Sequence, residues 1–278
     1  MHIIEHYIQA KGSDNFACED GIVMNSDFIA VVDGATNKSG MKYNGENPGR
    51  VARTLALKAI ESLDPSIKAL DAFNIINDTY RSFYEELGIL EQSKETPSHR
   101  CTASCVIYSN YYKELWLIGD CMALVDGVSI QFQKEIDSVL ANLRSLMINV
   151  ELSKGATLKD IQEHDSAREY IVPLLMKQAH LQNSDYDCEY TYYVLDGISP
   201  IQENYIKVVN VPLGAKEIVL SSDGYPQLFP TLKESEEHLS HVLKVDPLCY
   251  KEYKSTKGLI KGNTSYDDRA YVRFTVTS

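Results

Sequence analysis

Three apolar runs in this 278-residue chain end in an aspartate: FIAVVDG at 28–34, LWLIGD at 115–120 and EIVLSSDG at 217–224. Short runs rich in Val, Ile and Leu read as buried strands. A carboxylate at the end of a buried strand is costly unless something balances its charge. For any one Asp-Gly pair the ordinary explanation is a turn, since glycine accepts positive φ and aspartate hydrogen-bonds the turning backbone. Asp126-Gly127 and Asp196-Gly197 are read that way. Asp33, Asp120 and Asp223, joined by Glu19-Asp20 and Asp267-Asp268, call for a joint explanation.

Bulk properties narrow the classes. A composition 44% hydrophobic and 24% charged is that of a globular chain, not a disordered one. The net charge of −12 speaks against nucleic-acid binding, which needs a basic face. Acidic proteins still act on phosphate groups when bound cations reverse the local field. No apolar run approaches the ~18 residues of a membrane span, and the N-terminal stretch lacks a signal peptide's apolar core. The six cysteines show no framework spacing and read as reduced thiols. A cytoplasmic protein without membrane partners is expected.

Along the chain, strands are expected at 2–9, 16–24 and 28–32, then amphipathic helices at 48–63 and 66–87. Strands follow at 102–108, 114–118 and 122–125, with Asn110 to Lys113 as a hairpin turn. Helical spacing returns at 134–149 and 157–181, where Pro173 should bend or divide the helix. Strands at 205–209, 217–220 and 269–276 and a helix at 234–243 complete the order. Regular β-α-β alternation is absent, which points to an α+β protein of mainly antiparallel strands covered by helices. With no repeat or low-complexity linker, residues 1–278 read as one domain. The tyrosine-rich stretch 186–193 reads as alternating exposure on a strand or loop.

If these acids met in space, their repulsion would demand cations. Magnesium or manganese, which prefer oxygen ligands, would suit them. Glycine after a ligand aspartate leaves the backbone carbonyl free to approach an ion. No phosphate loop, HExxH motif or GxSxG elbow offers an alternative chemistry.

The ordered set Glu19-Asp20, Val32-Asp33-Gly34, Thr102-Ala103, Gly119-Asp120, Ser222-Asp223-Gly224 and Asp267-Asp268 resembles the metal-dependent type 2C protein phosphatases. The resemblance spans the framework segments and leaves 131–209 unmatched, a divergent and largely helical insert. It implies a four-layer α-β-β-α sandwich of two mainly antiparallel sheets flanked by helices. It also implies two Mn2+ or Mg2+ ions, with a third in some members. Asp33 would bridge both ions and Gly34 would offer its carbonyl. Asp223 and Asp267 would complete one shell, and Glu19 would serve the other. Asp120 would serve the third ion, and Asp20 would orient water. The implied reaction is direct in-line attack on phosphorus by a hydroxide shared between the ions. Phosphoserine and phosphothreonine in proteins are the implied substrates; a small phosphorylated molecule, or a non-catalytic binding role, are the alternatives.

The chain also departs from the family. It has no Arg or Lys at 13–18, where the family places an Arg that grips phosphate. Ala35-Thr36 follows Asp33-Gly34 in place of His or Gly-Gly, and Cys121-Met122 follows Asp120 in place of Ser-Arg. Lys11, Lys38, Lys42 and Arg50 are candidates for the missing charge, and the substrate-binding residue stays unassigned.

Overall fold

Strict alternation of side chains along the strands builds two apolar layers back to back. In strand order the elements are β1 (His2–Gln9), β2 (Asp20–Met24), β3 (Phe28–Gly34), β4 (Ala103–Ser109), β5 (Glu114–Ile118), β6 (Met122–Val125), β7 (Val128–Gln131), β8 (Lys207–Asn210), β9 (Glu217–Ser221) and β10 (Arg269–Thr275). The helices are α1 (Pro48–Glu61), α2 (Ala69–Glu86), α3 (Leu90–Glu95), α4 (Glu135–Ser153), α5 (Leu158–Glu163), α6 (Ser166–Lys177) and α7 (Leu232–Val245). They belong to a computed structural model that describes residues 1–132, 134–186 and 188–276.

The strands form two five-stranded antiparallel sheets, ordered β2-β3-β4-β5-β8 and β1-β10-β9-β6-β7. Successive residues of a strand point to opposite faces. On β3, Phe28, Ala30 and Val32 therefore pack outward against Ala52 and Ala56 of α1 and Phe73 and Tyr80 of α2. Ile29 and Val31 face inward, where Val106 and Leu117 of the first sheet meet Leu220, Val272 and Phe274 of the second. On the far side, Met122, Val219 and Tyr271 pack against Leu239 of α7. The architecture is the α-β-β-α sandwich that the sequence implies. Among the described residues no helix is long and apolar enough to cross a membrane.

Several local expectations shift. The stretch 16–24 is a strand only from Asp20, because Asn15–Ala17 forms a 3-10 turn capped by the Asp14 carboxylate. An unforeseen strand, β7, pairs with β6 through Asp126 and Gly127, both at positive φ (46° and 83°). The break in 157–181 falls at His164-Asp165, not at Pro173, which lies inside α6. Asp165 is the reason: its carboxylate caps α6 by accepting the Arg168 N–H and also pairs with Arg144.

Arg144 of α4 is fully buried. Its guanidinium donates to Asp165 Oδ2 (2.6 Å) and to the carbonyls of Leu248 (2.7 Å) and Ser255 (3.1 Å). Arg168 adds a bond to the carbonyl of Thr256. The two arginines thus bind the 248–257 loop to the helical segment. Truncating Arg144 would strand a buried carboxylate and buried carbonyls together. Arg144→Ala is expected to cost about 3–5 kcal/mol. Urea unfolding with an unchanged m-value checks this; a loss within about 0.5 kcal/mol, typical of a surface change, would contradict it.

Candidate metal centre

Strand register delivers the acids to one end of the inter-sheet layer. Asp33 lies on the face of β3 that carries Ile29 and Val31, and antiparallel pairing sets Asp20 of β2 directly opposite it. Asp33 also pairs across to Ser104 of β4, whose hydroxyl donates to Asp120 at the end of β5 (2.5 Å). From the second sheet, Asp223 follows β9 and Asp267-Asp268 precede β10.

The glycines after Asp33 and Asp223 are not there to supply positive φ, since neither has it. A Cβ on Gly34 would sit 2.1 Å from the Gly49 carbonyl oxygen, and one on Gly224 would sit 2.0 Å from the Asp268 carbonyl oxygen. Both distances are impossible for a side chain. The first glycine seats the start of α1 on the end of β3, and the second seats the Asp223 loop against the Asp267-Asp268 loop.

One oxygen from each of Asp33, Asp120 and Asp223 lies within 4.8 Å of the others. All three line a cleft of about 340 Å3. Burial raises the Asp33 carboxyl well above its ordinary range, and the charges of Asp20, Asp120 and Asp267 raise it further. Asp223 is raised in the same way by burial and by Asp33 and Asp120. Asp20 is raised by burial, then by Asp268, Asp267 and Asp223, against a hydrogen bond with Ser222. Asp20 Oδ2 and Glu19 Oε1 are buried without hydrogen bonds among the described residues. An all-oxygen triad in which Asp33 and Asp223 are both forced upward fits a hard divalent cation.

The remaining acids are occupied by lysines that the sequence did not single out together. Lys257 and Lys11 (3.3 Å) both hold Asp267, and Lys11 also reaches Glu19 (3.6 Å) and the Thr36 hydroxyl (2.9 Å). The Thr36 hydroxyl donates in turn to Glu19 (2.6 Å). Burial alone would raise Asp267, but Lys257 and Lys11 outweigh it and hold the carboxyl down at about 2. Lys134 bonds Asp120 Oδ2 and Asp137 at 3.2 Å each and lies over the Tyr192 ring. Against burial, Lys134 and Ser104 hold Asp120 low. Asp268 accepts the backbone N–H of Lys11 and of Glu19, both at 2.8 Å, and ties the N-terminal loop to β10. The structure therefore brings Asp33, Asp120 and Asp223 together and gives Asp120, Asp267 and Glu19 ammonium partners.

In the tyrosine-rich stretch, Tyr192 enters the cleft and Tyr193 stacks on Tyr205 at 4.0 Å; Asp187 lies outside the described residues. Asp196, read as a turn residue, is also a buried partner of Arg100 (3.0 Å).

No protein-family model matches the sequence, and no curated protein matches it. Among solved structures, the chain is similar to the serine/threonine phosphatase Stp1 from Staphylococcus aureus. That match has TM-score 0.51 and 13% identity and covers 100% of this chain and 96% of that one. The chain has the serine/threonine phosphatase fold. It is also similar to PppA of Pseudomonas aeruginosa, a regulatory component of T6SS (TM-score 0.46, 15% identity, 98% and 96% covered). A further similar structure is the Mycobacterium tuberculosis phosphatase PstP/Ppp (TM-score 0.44, 14% identity, 99% and 100% covered). On this phosphatase fold the acids stand at the sheet ends that the sequence order implies.

The raised carboxyls set a sign for stability. In metal-free protein, folded Asp33 and Asp223 keep protons that the unfolded chain releases near pH ~4. Stability therefore falls as pH rises from there toward their folded values. Asp120 and Asp267, held low, act oppositely, but their contribution is already complete above that range. With EDTA present, the urea midpoint is expected to be lower at pH 8 than at pH 5. Asp33→Asn is expected to remove part of the difference, and Mn2+ to restore the midpoint at pH 8. A midpoint indifferent to both pH and Mn2+ would exclude a cation site here.

Proposed function

We propose that this chain is a metal-dependent phosphohydrolase acting on phosphoserine and phosphothreonine in proteins. The observation that carries the reading is the Asp33-Asp120-Asp223 triad, half-buried in a cleft on a phosphatase fold. Manganese or magnesium fits its hard oxygen donors. Such ions supply a water of lowered pKa and offset the charge of a phosphoryl group.

The chain's own residues divide the remaining work. Asp33, Asp120 and Asp223 would hold one ion, and Glu19, Asp267 and the Gly34 carbonyl would be the donors for a second, two of them now held by Lys11 and Lys257. Asp20 stands opposite Asp33 with one buried oxygen free of hydrogen bonds among the described residues, which supports a role for it in orienting a water and receiving its proton. Residues of α4 and α6, with Tyr192, wall the cleft above the carboxylates.

Those walls also favour a second reading, a small phosphorylated molecule as substrate. The lysine contacts on Asp267 and Glu19 favour a third, a binding protein that performs no hydrolysis.

Hydrolysis of an aryl phosphate with and without Mn2+ separates the enzyme readings from the third. Turnover is expected to require the metal and to fall about a hundredfold or more in Asp223→Asn, since lesser losses follow from outer partners of a ligand. Phosphopeptides competed against phosphorylated metabolites then choose between substrates. Mn2+ binding without turnover of any of these would end the enzyme reading.

A further inference from the structure

Carboxylates dominate the floor of the cleft, yet a phosphomonoester arrives with about two negative charges of its own. Cations held at the triad offset part of that charge. A side chain that grips the outer phosphate oxygens must be basic, must reach the cleft and must not already be spent on a protein carboxylate. The stretch 13–18 offers no such residue.

The basic residues that line the cleft are mostly committed. Lys134 holds Asp120, Lys257 holds Asp267, Arg100 pairs with Asp196, and Lys254 donates to Asn142. Lys38 lines the same cleft, and among the described residues it has neither a hydrogen bond nor an ion pair. Its backbone position is fixed. The adjacent Asn37 donates its side-chain N–H to the Ser98 carbonyl (3.0 Å) and accepts from the Ser39 N–H and hydroxyl (2.9 Å each). The loop begins at Gly34, so Lys38 stands only a few residues beyond the triad's Asp33.

We propose that Lys38 is the substrate-binding residue that grips the phosphate oxygens, in the place left open by the arginine this chain lacks. The inference rests on the phosphohydrolase reading of the same site. The charges around Lys38 fit it. Burial, then Lys257, Lys134 and Arg168, push its ammonium down to about 8, and Asp137 opposes them only in part. Positive charge thus outweighs negative charge around Lys38, which has no ion pair of its own among the described residues, and a phosphate is an anion that relieves the excess. Below pH ~8 Lys38 is charged and grips; above it the grip weakens. Lys134 and Lys257 are raised by their carboxylate partners and stay charged across that range.

The test uses the full chain loaded with Mn2+ and reads inorganic phosphate binding by calorimetry, beside KM and kcat for an aryl phosphate. Lys38→Met is expected to weaken phosphate binding and raise KM by about tenfold to a hundredfold, the worth of one charge-assisted hydrogen bond. Mn2+ affinity and the urea midpoint should stay as in wild type. Lys38→Arg is expected to recover most of the phosphate affinity and to remove its decline above pH ~8, because a guanidinium stays charged there. Lys42→Met, an exposed lysine four residues on, is expected to change nothing. The proposal is overturned if Lys38→Met, folded and binding Mn2+ normally, holds phosphate as tightly as wild type. It is overturned equally if Lys42→Met weakens phosphate binding as much. Lys38-dependent phosphate binding without turnover of any phosphoester would uphold the grip and sink the phosphohydrolase reading instead.

Discussion

The centre of this molecule depends on a balance of charge where two sheets end. Carboxylates from β2, β3, β5, β9 and β10 converge at the mouth of the inter-sheet layer. Burial there makes each unpaired charge expensive. The chain answers in two ways. Asp267 and Glu19 receive lysines, and Asp120 shares Lys134 with Asp137. Asp33 and Asp223 receive none, and their carboxyls are forced upward. That asymmetry leaves Asp33 and Asp223, beside Asp120, as the acids whose charge the chain's lysines balance least.

Packing as much as coordination explains the glycines. In sequence, Gly after Asp suggests either a turn or a carbonyl freed for an ion. Gly34 and Gly224 occupy ordinary backbone conformations, and what they lack is room for a Cβ. Gly34 lets α1 begin against the end of β3. Gly224 lets the Asp223 loop lie on the Asp268 carbonyl. Each glycine brings its aspartate into register with an element distant in sequence, so the triad's geometry is set by steric contact before any ligand is bound.

Much of the frame was legible because it follows from period-two alternation. The runs at 28–34, 114–118 and 217–221 read as buried strands, and the family resemblance implied that the acids at their ends meet. The lysines were not legible in the same way. Lys257 meets Asp267 across a loop, Lys134 meets Asp120 across a hairpin, and Lys11 meets Asp267 from the opposite end of the chain. No local periodicity encodes such pairings. The break before α6 was misplaced for a related reason: Pro173 is a local signal, whereas Asp165 acts through its tertiary partner Arg144.

These observations divide the site by origin. The acids lie on segments that match a familiar order, whereas two of the opposing charges depend on the part that matches nothing. Lys134 stands at the start of α4, and the loop bearing Lys257 is held by Arg144 of α4 and Arg168 of α6. The helical segment between β7 and β8 therefore does more than cover one end of the sheets. It fixes the position of two lysines that face the carboxylates. On the proposed phosphohydrolase reading, a chain that keeps the acids and rebuilds this segment would keep the donors for a cation while changing the charges that a phosphate meets. Selectivity would then be a property of the helices, and the chemistry beneath them a property of the strand ends.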